Sequence, residues 1–108
     1  IRVKPVPGDL AAKNPGKGIC MLTNPNVAVA DFLDNYRAAL QSRGYSVRVV
    51  QGNPQVSACP FTSRYVAYAN GFASIDLYWE GQPVGSGLHS SAAVSTEALG
   101  VLVSRLLP

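Results

Sequence analysis

Histidine and cysteine are scarce in this chain. His89 is the single imidazole, and Cys20 and Cys59 are the only two thiols. A structural zinc site needs four such ligands, and a redox-active pair needs a close spacing such as CxxC. We therefore expect no metal and no cofactor. A structural disulfide between Cys20 and Cys59 is the favoured prediction, and two buried reduced thiols are the alternative.

Long apolar runs are also missing, since no segment approaches the ~20 apolar residues that span a bilayer. With 108 residues, of which 47% are hydrophobic and 14% charged, the chain has the composition of one globular domain. The sequence starts at Ile1 rather than at a methionine. This start favours a processed product whose targeting segment has been removed.

The surplus of charge is small, +3, and it falls at one end of the sequence. Residues 1–18 hold four basic residues and one acidic residue, whereas residues 19–108 hold five of each. A protein that reads phosphate backbones needs several basic groups on one face of its folded domain. Residues 1–18 are expected to lie outside the domain, so no nucleic-acid binding is predicted.

Motifs for catalysis are equally hard to find. His89, Ser90 and Asp76 are the residue types of a hydrolase triad, but neighbouring residues of a strand point to opposite faces, so His89 does not readily orient on Ser90. The stretch Gly85-Ser86-Gly87 is too short for a nucleophile elbow, and no glycine-rich turn opens a helix to hold phosphate. We expect a protein without enzymatic activity.

The clearest element is an amphipathic helix predicted over residues 27–45. Gly44 is placed to end it in the left-handed conformation. Its apolar side chains recur at helical spacing; they are Val29, Phe32, Leu33, Tyr36 and Leu40. Such a stripe needs a flat apolar layer on which to pack.

Strand patterns surround this helix. They lie at residues 19–22, 45–50, 59–72, 74–79 and 84–88, and a second helix begins near Ser95. The order β-α-β-β-β-β-α predicts the α+β class, as a two-layer α/β sandwich with a mixed sheet and two helices on one face. Residues 19–108 form this single domain, and residues 1–18 are predicted to be an extended N-terminal tether or strap. The proline and glycines in 83–88 favour an edge strand.

Helices on one face leave the other face of the sheet available. If Ile75, Leu77 and Trp79 point to the helices, then Asp76 and Tyr78 lie on the opposite, open face. Together with Tyr68 they form a candidate partner surface. The alternative is ordinary cross-strand packing of tyrosines on a half-solvated sheet.

Scattered positions along about 90 residues resemble a family of small proteobacterial lipoproteins labelled Sbd-like. They are Ile19-Cys20, Asn24-Pro25, Arg43-Gly44-Tyr45, Cys59, Tyr65, Ala67, Asp76-Leu77-Tyr78, Val84-Gly85-Ser86, Ser95-Thr96-Glu97 and Leu106-Leu107-Pro108. A tryptophan usual in that family between Tyr68 and Ile75 is missing here. The resemblance implies a protein on the periplasmic side of the bacterial envelope, with a lipid on a cysteine upstream of Ile1, and it implies no established activity.

These observations predict a non-enzymatic accessory module of the cell envelope that binds a protein partner. Binding would use the open face or the edge strand at 84–88, where self-association by strand addition is a further possibility. Contact with the membrane is expected only through the lipid anchor. The alternative is a small-ligand or glycan-binding domain that uses Tyr68, Tyr78 and Trp79.

Overall fold

The computed structural model describes residues 2–22, 32–50, 59–67, 72–90 and 96–107. These residues form one open mixed sheet and a helical layer. The elements are β1 (Arg2–Lys4), α1 (Leu10–Lys13), β2 (Gly18–Leu22), α2 (Phe32–Ser42), β3 (Ser46–Val50), β4 (Phe61–Ala67), β5 (Phe72–Trp79), β6 (Gln82–Ser90) and α3 (Thr96–Leu106).

The six strands lie in the order β1-β6-β5-β4-β2-β3. β2 pairs in parallel with β3 on one side and with β4 on the other, whereas β4, β5, β6 and β1 pair antiparallel in succession. The α+β class and the mixed sheet predicted from the sequence are therefore confirmed. The parallel β2-α2-β3 unit and the antiparallel β4-β5-β6 meander also match the prediction.

Within its described residues, helix α2 buries apolar side chains of the predicted stripe. Phe32, Tyr36 and Leu40 are almost completely excluded from solvent, because their spacing places them on one side of the helix. The helix ends at Ser42, and Gly44 follows in the left-handed conformation with a φ of 89°. The predicted start at residues 27–31 lies outside the described residues.

The two long helices pack against each other on the same face of the sheet, with α3 over β6 and β1 and α2 beside β3. The core lies between these helices and the sheet. Its strand residues alternate in sequence; they include Ile19, Met21, Phe61, Tyr65, Ala73, Ile75 and Leu77. None of the helices in the described part of the chain is long and apolar enough to cross a membrane.

Strand β6 is an interior strand and not the predicted edge, because β1 pairs with it over residues 2–4. The glycines of β6 are therefore not explained by an exposed edge. A Cβ on Gly87 would lie 2.9 Å from Leu102 Cδ1, and a Cβ on Gly85 would lie 2.9 Å from Val6 Cγ1 and 3.1 Å from the Lys4 carbonyl oxygen. These glycines allow close packing of α3 and of the N-terminal segment.

The N-terminal segment differs from the predicted tether. Val3 packs on the core, the Val6 amide donates to the Leu106 carbonyl at 3.0 Å, and Leu10 of α1 is buried. Pro5 directly follows the alternating stretch Arg-Val-Lys, which is too short to be recognised as a strand from sequence. Residues 2–13 thus contribute one strand, one helical turn and part of the core.

A polar pair lies inside the core. The hydroxyls of Tyr36 and Ser63 share a hydrogen bond of 2.6 Å, and both side chains are fully buried. Burial raises the pKa of the Tyr36 hydroxyl above its usual value, because a phenolate would be poorly solvated there.

We expect Tyr36→Phe to lower the free energy of unfolding by roughly 1–3 kcal/mol, because the Ser63 hydroxyl loses its partner inside the core. Ser63→Ala should lower the free energy of unfolding by a similar amount, because the Tyr36 hydroxyl then loses its partner. The double variant Tyr36→Phe/Ser63→Ala should cost clearly less than the sum of the two, since neither hydroxyl remains. Urea denaturation of the four proteins measures this coupling, and simple additivity of the two losses would contradict it.

Candidate interaction surface

Among the side chains on the open face of the sheet, three rows that run across the strands carry its charged residues. One row is Lys4, Ser86, Asp76 and Arg64. The second row is Arg2, Leu88, Ser74 and Val66. The third row contains Tyr78, Thr62, Cys20 and Arg48. Because directly opposed residues share a face, these rows define the surface that α2 and α3 leave uncovered.

These three rows carry the excess of positive charge. Among the described residues, Arg2, Lys4, Arg48 and Arg64 lie on this face with one carboxylate, that of Asp76, which gives a surplus of three positive charges. The net charge of the whole sequence is also +3. The five other basic residues are equal in number to the five other acidic residues. The open face therefore holds the basic surplus.

A cation–π contact joins two of these rows. The Arg64 guanidinium lies 5.6 Å from the centroid of the Tyr78 ring, and Arg64 is exposed whereas Tyr78 is half-buried. Such a contact contributes about 0.5–1 kcal/mol at an exposed site. The contact also holds the planar, charged Arg64 guanidinium in one orientation on the surface.

The predicted partner residues are placed as follows. Asp76 and Tyr78 lie together on the open face, one on each side of Leu77, and their role in binding stays a prediction. Tyr68 lies outside the described residues. Trp79 packs on the core beside Phe61, with 6.2 Å between ring centroids. Tyr78 and Trp79 thus face opposite sides of the sheet and do not form one platform for a glycan.

The disulfide includes Cys20, a member of the third row. Cys20 and Cys59 are bonded, with their Cα atoms 6.2 Å apart, which confirms the predicted pairing and excludes the alternative of two free thiols. Both residues are nearly buried, at 3% and 8% exposure. The bond fastens β2 to the segment that enters β4, and so it fixes the centre of the sheet.

The edges of the sheet differ from the prediction as well. β1 covers the side of β6 that was expected to be free, so self-association through residues 84–88 is blocked. On the opposite edge, the Ser46 amide donates to the Lys17 carbonyl at 2.8 Å, which directs the backbone groups of Val47 and Val49 away from the sheet. Among the described residues, no strand pairs with this outer side of β3.

Groups with catalytic potential are kept apart. His89 is buried and lies opposite Ala73 on the helix-covered face, whereas Asp76 lies on the open face. In the described ranges no group of three histidine, cysteine or acidic residues is arranged to hold a metal ion. The absence of enzymatic activity and of a cofactor remains an expectation.

A cavity of about 130 Å³ lies at the end of the helical layer, between Val6, Lys17, Arg43, Tyr45 and Leu107. Its cations serve the fold, since the Lys17 ammonium donates to the Arg43 carbonyl at 3.3 Å and the Arg43 guanidinium donates to the Leu107 carbonyl at 2.8 Å. Burial raises the pKa of the nearby Tyr45 hydroxyl, and Arg43 opposes that rise. The cavity therefore lies where the C-terminal ends of α2 and α3 meet, and its cations bind the carbonyl groups at those ends.

Sequence reasoning missed the four basic residues of the open face. Arg48 and Arg64 were visible as polar positions in alternating strands, which was the available signal. Arg2 and Lys4 carried no such signal, because their strand is three residues long. Comparisons with protein-family models, with curated proteins and with solved structures found no match to this chain.

Proposed function

We propose that this protein is a non-enzymatic accessory module of the bacterial cell envelope, which binds a protein partner through the open face of its sheet. The observation that carries the proposal is the concentration of the basic surplus on that face. Interfaces are enriched in arginine and tyrosine relative to the rest of a protein surface, and Arg64 over Tyr78 supplies such a pair.

The disulfide supports the periplasmic side of the envelope as the location. Disulfides form and persist in oxidising compartments and are rare in the cytosol, and the Cys20–Cys59 bond is part of the folded core of this sheet. In this proposal, the membrane is reached only through a lipid upstream of Ile1. Fractionation of cells that produce the full-length precursor, with detergent extraction of the membrane fraction, tests both points.

Site-specific photo-crosslinking tests the binding face. A photoreactive amino acid at Thr62 or Ser74, both half-buried on the open face, should give discrete adducts in envelope extracts. Tyr78→Ala should weaken these adducts, because it removes the ring on which Arg64 rests.

The matched control carries the same photoreactive group at Arg37 of α2, or at Val101 of α3, which is 43% exposed. These positions lie on the outer side of the helices and should give no discrete adduct. Equal adducts from both sides of the molecule, or none from the open face, would contradict the proposal.

A further inference from the structure

A trough runs along the open face beside β1. Its volume is about 400 Å³, and Arg2 and Lys4 line one side of it. The floor consists of short or apolar side chains with one carboxylate; they are Ser74, Asp76, Ser86 and Leu88. Beyond the trough, Arg64 and Val66 lie opposite Asp76 and Ser74 on β4 and continue the same two rows.

The dimensions of the trough match an extended chain. Its lining residues lie on the adjacent strands β1, β6 and β5, which at about 4.8 Å spacing cover roughly 10 Å, enough for one extended segment with its side chains. Arg2 and Lys4 are alternate residues of one strand, so their Cα atoms are about 7 Å apart. Alternate side chains of an extended partner have the same spacing.

We propose that this trough binds an extended, acidic protein segment, in which carboxylates at alternate positions pair with Arg2 and Lys4. This proposal rests on the proposed function and specifies the chemistry of its partner. The hydroxyls of Ser74 and Ser86 donate or accept hydrogen bonds along the segment, the Asp76 carboxylate accepts them from its backbone amides, and Leu88 contacts an apolar side chain.

The lining of the trough favours an acidic protein segment over a nucleic-acid strand. A nucleic-acid strand is held by stacking on aromatic rings together with several phosphate contacts. Among the described residues no aromatic side chain lines the trough, and the nearby Tyr78 ring is in contact with Arg64.

The test uses a fluorescently labelled short peptide in which glutamate and threonine alternate. We expect saturable binding at low ionic strength that weakens as salt is added. Arg2→Gln/Lys4→Gln should weaken it roughly tenfold, since each exposed charge pair accounts for about two- to fivefold in affinity. The matched control is Lys13→Gln/Arg37→Gln, which removes two exposed cations outside the open face and should leave affinity unchanged.

Other outcomes separate this proposal from the proposed function. If crosslinking from Thr62 captures a discrete partner but the acidic peptide does not bind, the acidic-segment proposal fails and the proposed function stands. Equal binding of the glutamine-for-glutamate peptide, or of a peptide with glutamates three residues apart, also overturns it. So does tighter binding of a single-stranded oligonucleotide, or of phosphatidylglycerol vesicles, that depends on Arg2 and Lys4.

Discussion

Reduction of the Cys20–Cys59 disulfide is expected to lower the free energy of unfolding by about 4 kcal/mol. The bond spans a sequence separation of 39 residues, and the loss of chain entropy on closing a loop of that size gives this value. For a domain of this length the melting temperature should then fall by roughly 15 °C. Thermal denaturation followed by circular dichroism, with and without reductant, measures the difference.

The variant Cys20→Ala/Cys59→Ala supplies the control for this experiment. It should melt near the reduced wild-type protein, and added reductant should not change its melting temperature. Alanine is preferable to serine here, because both positions are nearly buried and a serine hydroxyl would lose its contact with water. Equal melting of the oxidised and reduced wild-type proteins would show that the bond does not stabilise the fold.

Leu102→Ala is expected to cost roughly 2–5 kcal/mol, because it removes a fully buried side chain between α3 and the sheet. Val101→Ala, on the same helix but 43% exposed, should change the stability by less than about 0.5 kcal/mol. Chemical denaturation of the two variants compares a core position with a surface position in one element.

The close contact between Gly87 and Leu102 can be tested in a second experiment. Gly87→Ala alone should destabilise by about 1–3 kcal/mol, since its Cβ would lie 2.9 Å from Leu102 Cδ1. In the Leu102→Ala background the same change should cost much less, because the colliding atoms are gone. An equal cost of Gly87→Ala in both backgrounds would mean that the close approach of β6 and α3 does not require this glycine.

The local patterns of the chain predicted most of the fold. The helical spacing of Phe32, Tyr36 and Leu40 and the strict alternation of β5 each arise from contacts with one neighbouring layer. Such signals lie within a few residues of one another, so sequence alone is sufficient to place them. The same alternation predicted that Asp76 and Tyr78 share a face.

The edge of the sheet could not be predicted in this way. The glycines of β6 indicated an exposed edge by their low strand propensity, but Gly85 and Gly87 make room for Val6 and Leu102. The first contact joins opposite ends of the sequence, and the second joins a strand to a helix 15 residues further along the chain. A glycine has the same local signature at an edge and at a close approach, so only the packing distinguishes them.

From the amino-acid sequence alone we could predict the two-layer α+β architecture, the cysteines available for a disulfide and the size of the basic surplus. The position of that surplus depends on long-range packing. Arg2 and Lys4 become part of the open face because β1 pairs with β6, and this pairing depends on long-range backbone hydrogen bonds and on the burial of Val3, which no local pattern of three residues reveals.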